Sequence, residues 1–375
     1  MVNLGWKAKS FFQIAMLARL PLKFFALVPR TMLTLALAMA CAAAWPQKRP
    51  DALPSVTISA KANRDPVEKS YRQMIRGMDL FERRRALAPD APLRFKLLPR
   101  NRDTDMRNIR LDVVGNSVEM RVPVAADDTF VLQRDRLALA EDAKVTPDRK
   151  TGSMTWRTEI RTPGQPPQTR RLGDLRLECE VGMEAGLVSN NRSLLERIFG
   201  ARWDTPDYCK QKEPRYLFFS DQPLFSVSLV AGPRRETLPV AQLYAGASDD
   251  PKINEELRYC DCEVLLDRSY FLPLGDPSWP DDTLVEFEPM AGGDAFSAGR
   301  ETFGAIAPGM STRANVAAAL PKATVIRFDN GYEVWVDRIK PDRKDIEVPE
   351  RIILVDPSGV VTKTRVRLPG STRLR

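Results

Sequence analysis

The sequence predicts an α+β protein, mostly β: antiparallel β-sandwich-like domains followed by a small helix-plus-antiparallel-sheet domain. Three observations carry this. Short segments in which apolar and polar side chains alternate recur along most of the chain, the period of a half-buried strand. Thirty prolines against twenty glycines favour short strands joined by stiffened turns over a helical bundle. Only a few stretches show the three- and four-residue steps of a helix.

With 375 residues, 43% of them hydrophobic and 28% charged, the chain is globular and long enough for more than one domain. The expected organisation is a signal region over 1–44, a linker over 45–63 and a helix plus β-sandwich-like domain over 64–200. A second strand-rich domain over 201–290, a linker over 291–302 and a final domain over 303–369 follow.

The first element is a targeting segment. In "PLKFFALVPRTMLTLALAMACAAAW" a basic stretch ending at Arg30 precedes an apolar run, Met32 to Ala40, and then small residues, the layout of a bacterial secretory signal. The run is shorter than the roughly 20 apolar residues that span a bilayer, although an uncleaved anchor is the alternative. "AMAC" resembles a lipobox, in which Cys41 would carry lipid and become the new N-terminus; ordinary cleavage after Ala40 or Ala44 competes with it. The segment also explains the net charge of +8. Lys7, Lys9, Arg19, Lys23 and Arg30 lie in the first 40 residues with no acid, and without them 52 basic residues face 49 acidic ones. So near a balance excludes a polyanion footprint, and no nucleic-acid partner is expected.

"RDPVEKSYRQMIRGMDLFERRRAL" is an amphipathic helix, with Asp65 as cap, Pro66 in the first turn and Glu68 closing a capping box. Its apolar stripe is Val67, Tyr71, Met74, Met78 and Phe81, and its basic face is expected in solvent. From Leu93 the period becomes two. "LRFKLLP" is a strand, and "IRLDVVGNSVEMRVPV" is a hairpin across Gly115-Asn116. A further pair of strands flanks "RKTG", with Met154, Trp156 and Ile160 on one face. "DLRLECEV" reads as a strand, with Leu175, Leu177, Cys179 and Val181 inward and Arg176, Glu178 and Glu180 outward. "RSLLERIFGARW" is a short helix, and the strand-rich block after it includes "TLPVAQLYAG" and "TLVEFEPM".

In the last region "PGMSTRANVAAALP" is a helix with Ser311 as N-cap, stopped by Pro321. "TVIRFDNGYEVWVDRI" and "RIILVDPSGVVTKTRVRL" are hairpins across Asp329-Asn330-Gly331 and Pro357-Ser358-Gly359. Together, "F..I.PGMS....V...L", "F.NG.EVWV" and "DPSGVV" make Phe303 to Leu368 resemble the SmpA/OmlA (BamE-like) domain of small outer-membrane lipoproteins. That resemblance covers under a fifth of the chain. It implies a helix on an antiparallel sheet, and a role in envelope assembly and partner binding without catalysis.

The chain has no histidine, which excludes Ser-His-Asp, Cys-His and His-metal chemistry. Beyond Cys41 there are four cysteines, Cys179, Cys209, Cys260 and Cys262, and in an exported chain an even number indicates two disulfides of open connectivity. A zinc or thiol-redox reading of Cys260-x-Cys262 lacks the further ligands or the helix either would need. Asp276, Asp281, Asp282, Glu286 and Glu288 could build a calcium site or an acid pair, but acids beside proline more often hold turns. Neither a metal nor a cofactor is expected. Trp335, with Glu333 and Asp337 on its face of the strand, is either a partner-contact aromatic or a core residue beneath the helix. The function expected is therefore a non-enzymatic, outer-membrane-anchored periplasmic lipoprotein that acts as an adaptor towards other envelope proteins. The alternative is a soluble periplasmic ligand-binding protein.

Overall fold

The structure, a computed structural model, describes residues 68–100, 103–150, 152–188, 205–211, 216–247, 265–292, 306–338 and 349–368. The expected signal region, Cys41, the linkers' unassigned parts, the 192–203 helix, Cys260 and Cys262 lie outside them. The described residues fall in one unit, mixed α+β and mostly β, with four α-helices and 17 strands.

The first part contains β1 (Lys69–Ser70), α1 (Tyr71–Arg83), β2 (Leu93–Pro99), β3 (Leu111–Val114), β4 (Glu119–Val122), β5 (Thr129–Phe130), α2 (Arg136–Ala140), β6 (Lys144–Pro147) and β7 (Met154–Ile160). Two antiparallel sheets form, in the orders β1-β6-β3-β4 and β5-β2-β7. Their inward side chains, among them Leu97, Leu111, Val145 and Trp156, share one core with Tyr71 and Met74 of α1. The β3–β4 hairpin closes in the expected register, Leu111 opposite Val122 and Val113 opposite Met120. Helix α1 starts later than expected. Ser70 is the cap, accepting the Gln73 N–H at 3.4 Å, and Glu68 precedes the helix. The basic face is solvated and partly paired, Arg72 with Asp142 and Arg76 with Glu184.

β8 (Thr169–Arg171) leads directly into α3 (Leu172–Glu184). Here the structure corrects the sequence reading: "DLRLECEV" is helical, not a strand. Leu172, Leu175, Cys179 and Met183 face one core, while Leu177 and Val181 face another with Phe81 and Ile160. A helix apolar on opposite sides shows no single 3.6-residue stripe, and its alternation imitates a strand. The acids read as outward are buried, and each has partners. Glu178 meets Arg170 and Glu180 meets Arg84; Asp174, in the first turn of the same helix, is buried too and accepts the Thr162 N–H and hydroxyl. Helix α1 crosses α3 at Gly77, where a Cβ would lie 2.7 Å from that of Ala185, so only glycine permits the approach.

β9 (Phe218–Phe219), β10 (Leu224–Ala231), β11 (Arg234–Thr237), β12 (Ser269–Tyr270) and β13 (Leu284–Pro289) follow. They pair as β11-β10-β13-β8 and β12-β9, so β8 adds an edge to a sheet otherwise formed by the second block. "TLPVAQLYAG" is not a strand; it contains two 3-10 turns, Val240–Gln242 and Tyr244–Gly246, with Tyr244 and Ala245 in the left-handed region.

The last part is α4 (Arg313–Ala319) and the meander β14 (Thr324–Arg327), β15 (Glu333–Arg338), β16 (Glu350–Val355) and β17 (Val361–Arg367). Thr312, not Ser311, caps α4 and shares a capping box with Asn315; the Ser311 hydroxyl instead accepts the Ala307 N–H. The first hairpin turns through three residues. The Gly331 N–H returns to the Phe328 carbonyl, and Gly331 alone takes a positive φ, +85°. A type I turn followed by a left-handed glycine gives this geometry, so Asn330 needs no positive φ. One face of the meander packs under α4, through Trp335, Ile353 and Val361 on Val316. The other, through Val334, Val336, Ile352 and Leu354, belongs to the same core as α3 and β10.

Candidate functional site

The expected site residues divide sharply. Cys179 on α3 and Cys209 in the 3-10 turn Pro206–Lys210 form a disulfide, with Cα atoms 5.9 Å apart. Trp335 and Glu333 are buried, so of the two settings the sequence left open for Trp335 the structure shows the core one. Trp335 is 7% exposed beneath α4, and Glu333 is 8% exposed. Glu333 accepts hydrogen bonds from Arg313 (3.0 Å), Arg327 (3.2 Å) and the Trp335 indole (3.1 Å). Both faces of the sheet are covered, so alternation along β15 carries no information about exposure. Asp337, half-buried, pairs with Arg351.

Four of the five acids near residue 280 have separate partners. Asp281 meets Arg176, Asp276 accepts the Ser278 N–H, Glu286 meets Arg235, and Glu288 accepts from Ser226 and Lys363. Among the described residues no three His, Cys, Asp or Glu side chains gather where a metal could sit.

What the structure does assemble is a cavity of about 220 Å³ where the end of β7 meets β8, β9, β12 and β13. Its charged residues are Arg161, Arg170 and Asp221, Gln168, Ser220 and Gln222 add polar groups, and its apolar wall includes Phe219, Tyr270 and Phe287. Tyr270 stacks on Phe218 at 5.4 Å and meets Phe287 edge-on at 5.2 Å, which fixes that wall. Gln168, on the rim, holds a left-handed backbone (φ 57°), and its carbonyl accepts the Phe287 N–H at 2.8 Å. A non-glycine residue is strained there, and the β8–β13 pairing beside it holds it in place.

Arg170 lies at the base, 5% exposed. Its Nη2 donates to the Ile160 carbonyl (2.7 Å) and to Glu178 Oε1 (2.5 Å), and the same oxygen accepts the Ile160 N–H (2.7 Å). Its buried Nε has no acceptor. Burial pushes the Glu178 carboxyl up to about 7, against the pull of Arg170, while Glu178 and Glu159 hold the Arg170 charge despite burial. At the rim, Asp221 accepts from Lys96 and Arg161, both at 3.1 Å. Burial opposes the Asp221 charge, but those two cations keep its pKa below the ordinary value.

The chain matches no known protein family, curated protein or solved structure. The cavity therefore has to be read from its own chemistry. A buried cation beside a carboxylate, with an aromatic wall and no nucleophile–base pair among the lining residues, can hold and orient a molecule. Sequence reasoning missed it because the contributing residues lie far apart in the chain and share no spacing. The nearest signal was Glu178, an acid on a segment that turned out to be buried on opposite sides.

Proposed function

We propose that the protein is an exported, non-enzymatic protein of the cell envelope whose folded body binds a small molecule in the Arg170–Tyr270 cavity. The cavity is the observation that carries the binding role. It combines a buried, incompletely satisfied guanidinium with an aromatic wall, the arrangement by which apolar pockets orient a ligand. Export is supported by the Cys179–Cys209 bridge, since such bonds persist in oxidising compartments, and by the basic, apolar and small-residue order before Cys41.

The adaptor role at the outer membrane, with Cys41 lipidated, is the second reading. It rests on the SmpA/OmlA-like pattern of residues 303–368. The burial of Trp335 and Glu333 removes the aromatic that would have anchored a partner, which favours ligand binding over it.

The test is retention of small molecules from an envelope extract, identified by mass spectrometry after dialysis and denaturation. Wild type should retain a species that Ser220→Trp, which fills the cavity from its rim, releases. Equal retention by both, with equal melting behaviour, would remove the binding role.

A further inference from the structure

We infer that the cavity takes a small monocarboxylate bearing a single apolar ring. The inference rests on the ligand-binding reading and adds the chemical class. Charge comes first. The wall presents two guanidiniums, Arg161 and Arg170, against one carboxylate, Asp221. The neighbouring residues add Lys96 and Arg157 against Glu159 and Glu178, so a surplus of at least one positive charge remains, and more where Glu178 keeps its proton. One anionic group satisfies that surplus. A second would lie against Asp221, and a cationic ligand would lie against both arginines.

Hydrogen bonding points the same way. Both Asp221 oxygens already face cations, Oδ1 Lys96 and Oδ2 Arg161, so the charge of Asp221 is largely offset by the protein itself. Arg170 is the opposite case. Its bonds to protein leave through Nη2, and its buried Nε–H has no acceptor. A guanidinium bonded to protein through one nitrogen keeps its charge and further donor capacity for an incoming anion.

Size and the opposite wall set the rest of the molecule. A cavity of about 220 Å³ has room for one ring with a short acid group. Tyr270 and Phe287, held edge to face at 5.2 Å, offer that ring an aromatic wall, and Phe219 adds to it.

Calorimetric titration of the whole protein with benzoate and with its neutral isostere benzamide tests this. Benzoate should bind, and benzamide should bind at least about tenfold more weakly, the difference expected for losing a charge-assisted pair. Arg161→Gln, a change at a partly exposed side chain, should weaken benzoate by a similar factor, and Ser220→Trp should abolish its binding. Arg170 is left intact because it also holds Glu178 in the core. Equal binding of benzoate and benzamide would overturn the charge assignment while leaving the cavity a ligand site. Benzoate binding that survives both Arg161→Gln and Ser220→Trp would place the ligand elsewhere and overturn the inference. So would binding of neither probe, in which case the extract experiment decides separately whether the cavity binds anything.

Discussion

Removing the Cys179–Cys209 bridge should destabilise the protein by an amount the chain itself sets. The two cysteines are separated by 30 residues. Loop-closure entropy for that separation gives about 3.6 kcal/mol at 25 °C. Cys179 is fully buried and Cys209 is 4% exposed, so Cys179→Ala/Cys209→Ala also removes two packed sulfurs, adding about 1 kcal/mol. Reducing the wild-type bond leaves the atoms in place and isolates the loop term. Urea unfolding of oxidised wild type, reduced wild type and the double alanine variant separates the two contributions. With a slope near 3 kcal/mol/M, reduction should lower the midpoint by about 1.2 M, and the double variant should fall further. A shift under about 0.3 M on reduction would refute the reasoning, because a native bridge of this span cannot be thermodynamically silent.

Three further outcomes follow from the core. Trp335→Ala should destabilise by about 3–5 kcal/mol in thermal or urea unfolding, since the side chain fills the space under α4 and donates to Glu333; a change under about 1 kcal/mol would mean the residue is a surface one after all. Arg365 lies 9% exposed near the Phe225 ring with Nε, Nη1 and Nη2 lacking acceptors, and burial lowers its pKa, so Arg365→Met should be neutral or stabilising by about 1–4 kcal/mol; a clear loss in the same assay would reveal a partner for the charge. Burial raises the Glu178 pKa from 4.5 to about 7, so the folded chain keeps a proton that the unfolded chain has released; the associated stability is full below about pH 4.5 and is lost as pH rises through about 7, and Glu178→Gln should flatten unfolding midpoints across that window, whereas an unchanged slope would show an ionised carboxylate throughout.

The parts of the fold that could be read in advance are those fixed by local chemistry. Gly115-Asn116 and the left-handed Gly331 and Gly359 each reverse the chain wherever they occur, so the β3–β4, β14–β15 and β16–β17 hairpins could be located from a few residues. Helix α1 was legible for a related reason: one face meets the core and the other meets water, which writes a single stripe into the sequence. Helix α3 lost that stripe because it lies between two cores, and its buried acids answer to Arg170 and Arg84, far from it in the chain. The same covering of both faces hid the true setting of Trp335. The cavity was illegible because it is a property of how β7, β8, β9, β12 and β13 meet, and no segment of sequence contains it.

The central claim is that an exported chain carries this fold, and the most direct measurement is mass mapping of the protein recovered from fractionated cells, under non-reducing conditions. The account predicts a mature N-terminus between Cys41 and Trp45, recovery with the envelope fraction, and a peptide pair joined through Cys179 and Cys209. A chain intact from Met1 in the cytosol, with Cys179 and Cys209 as free thiols, would contradict it.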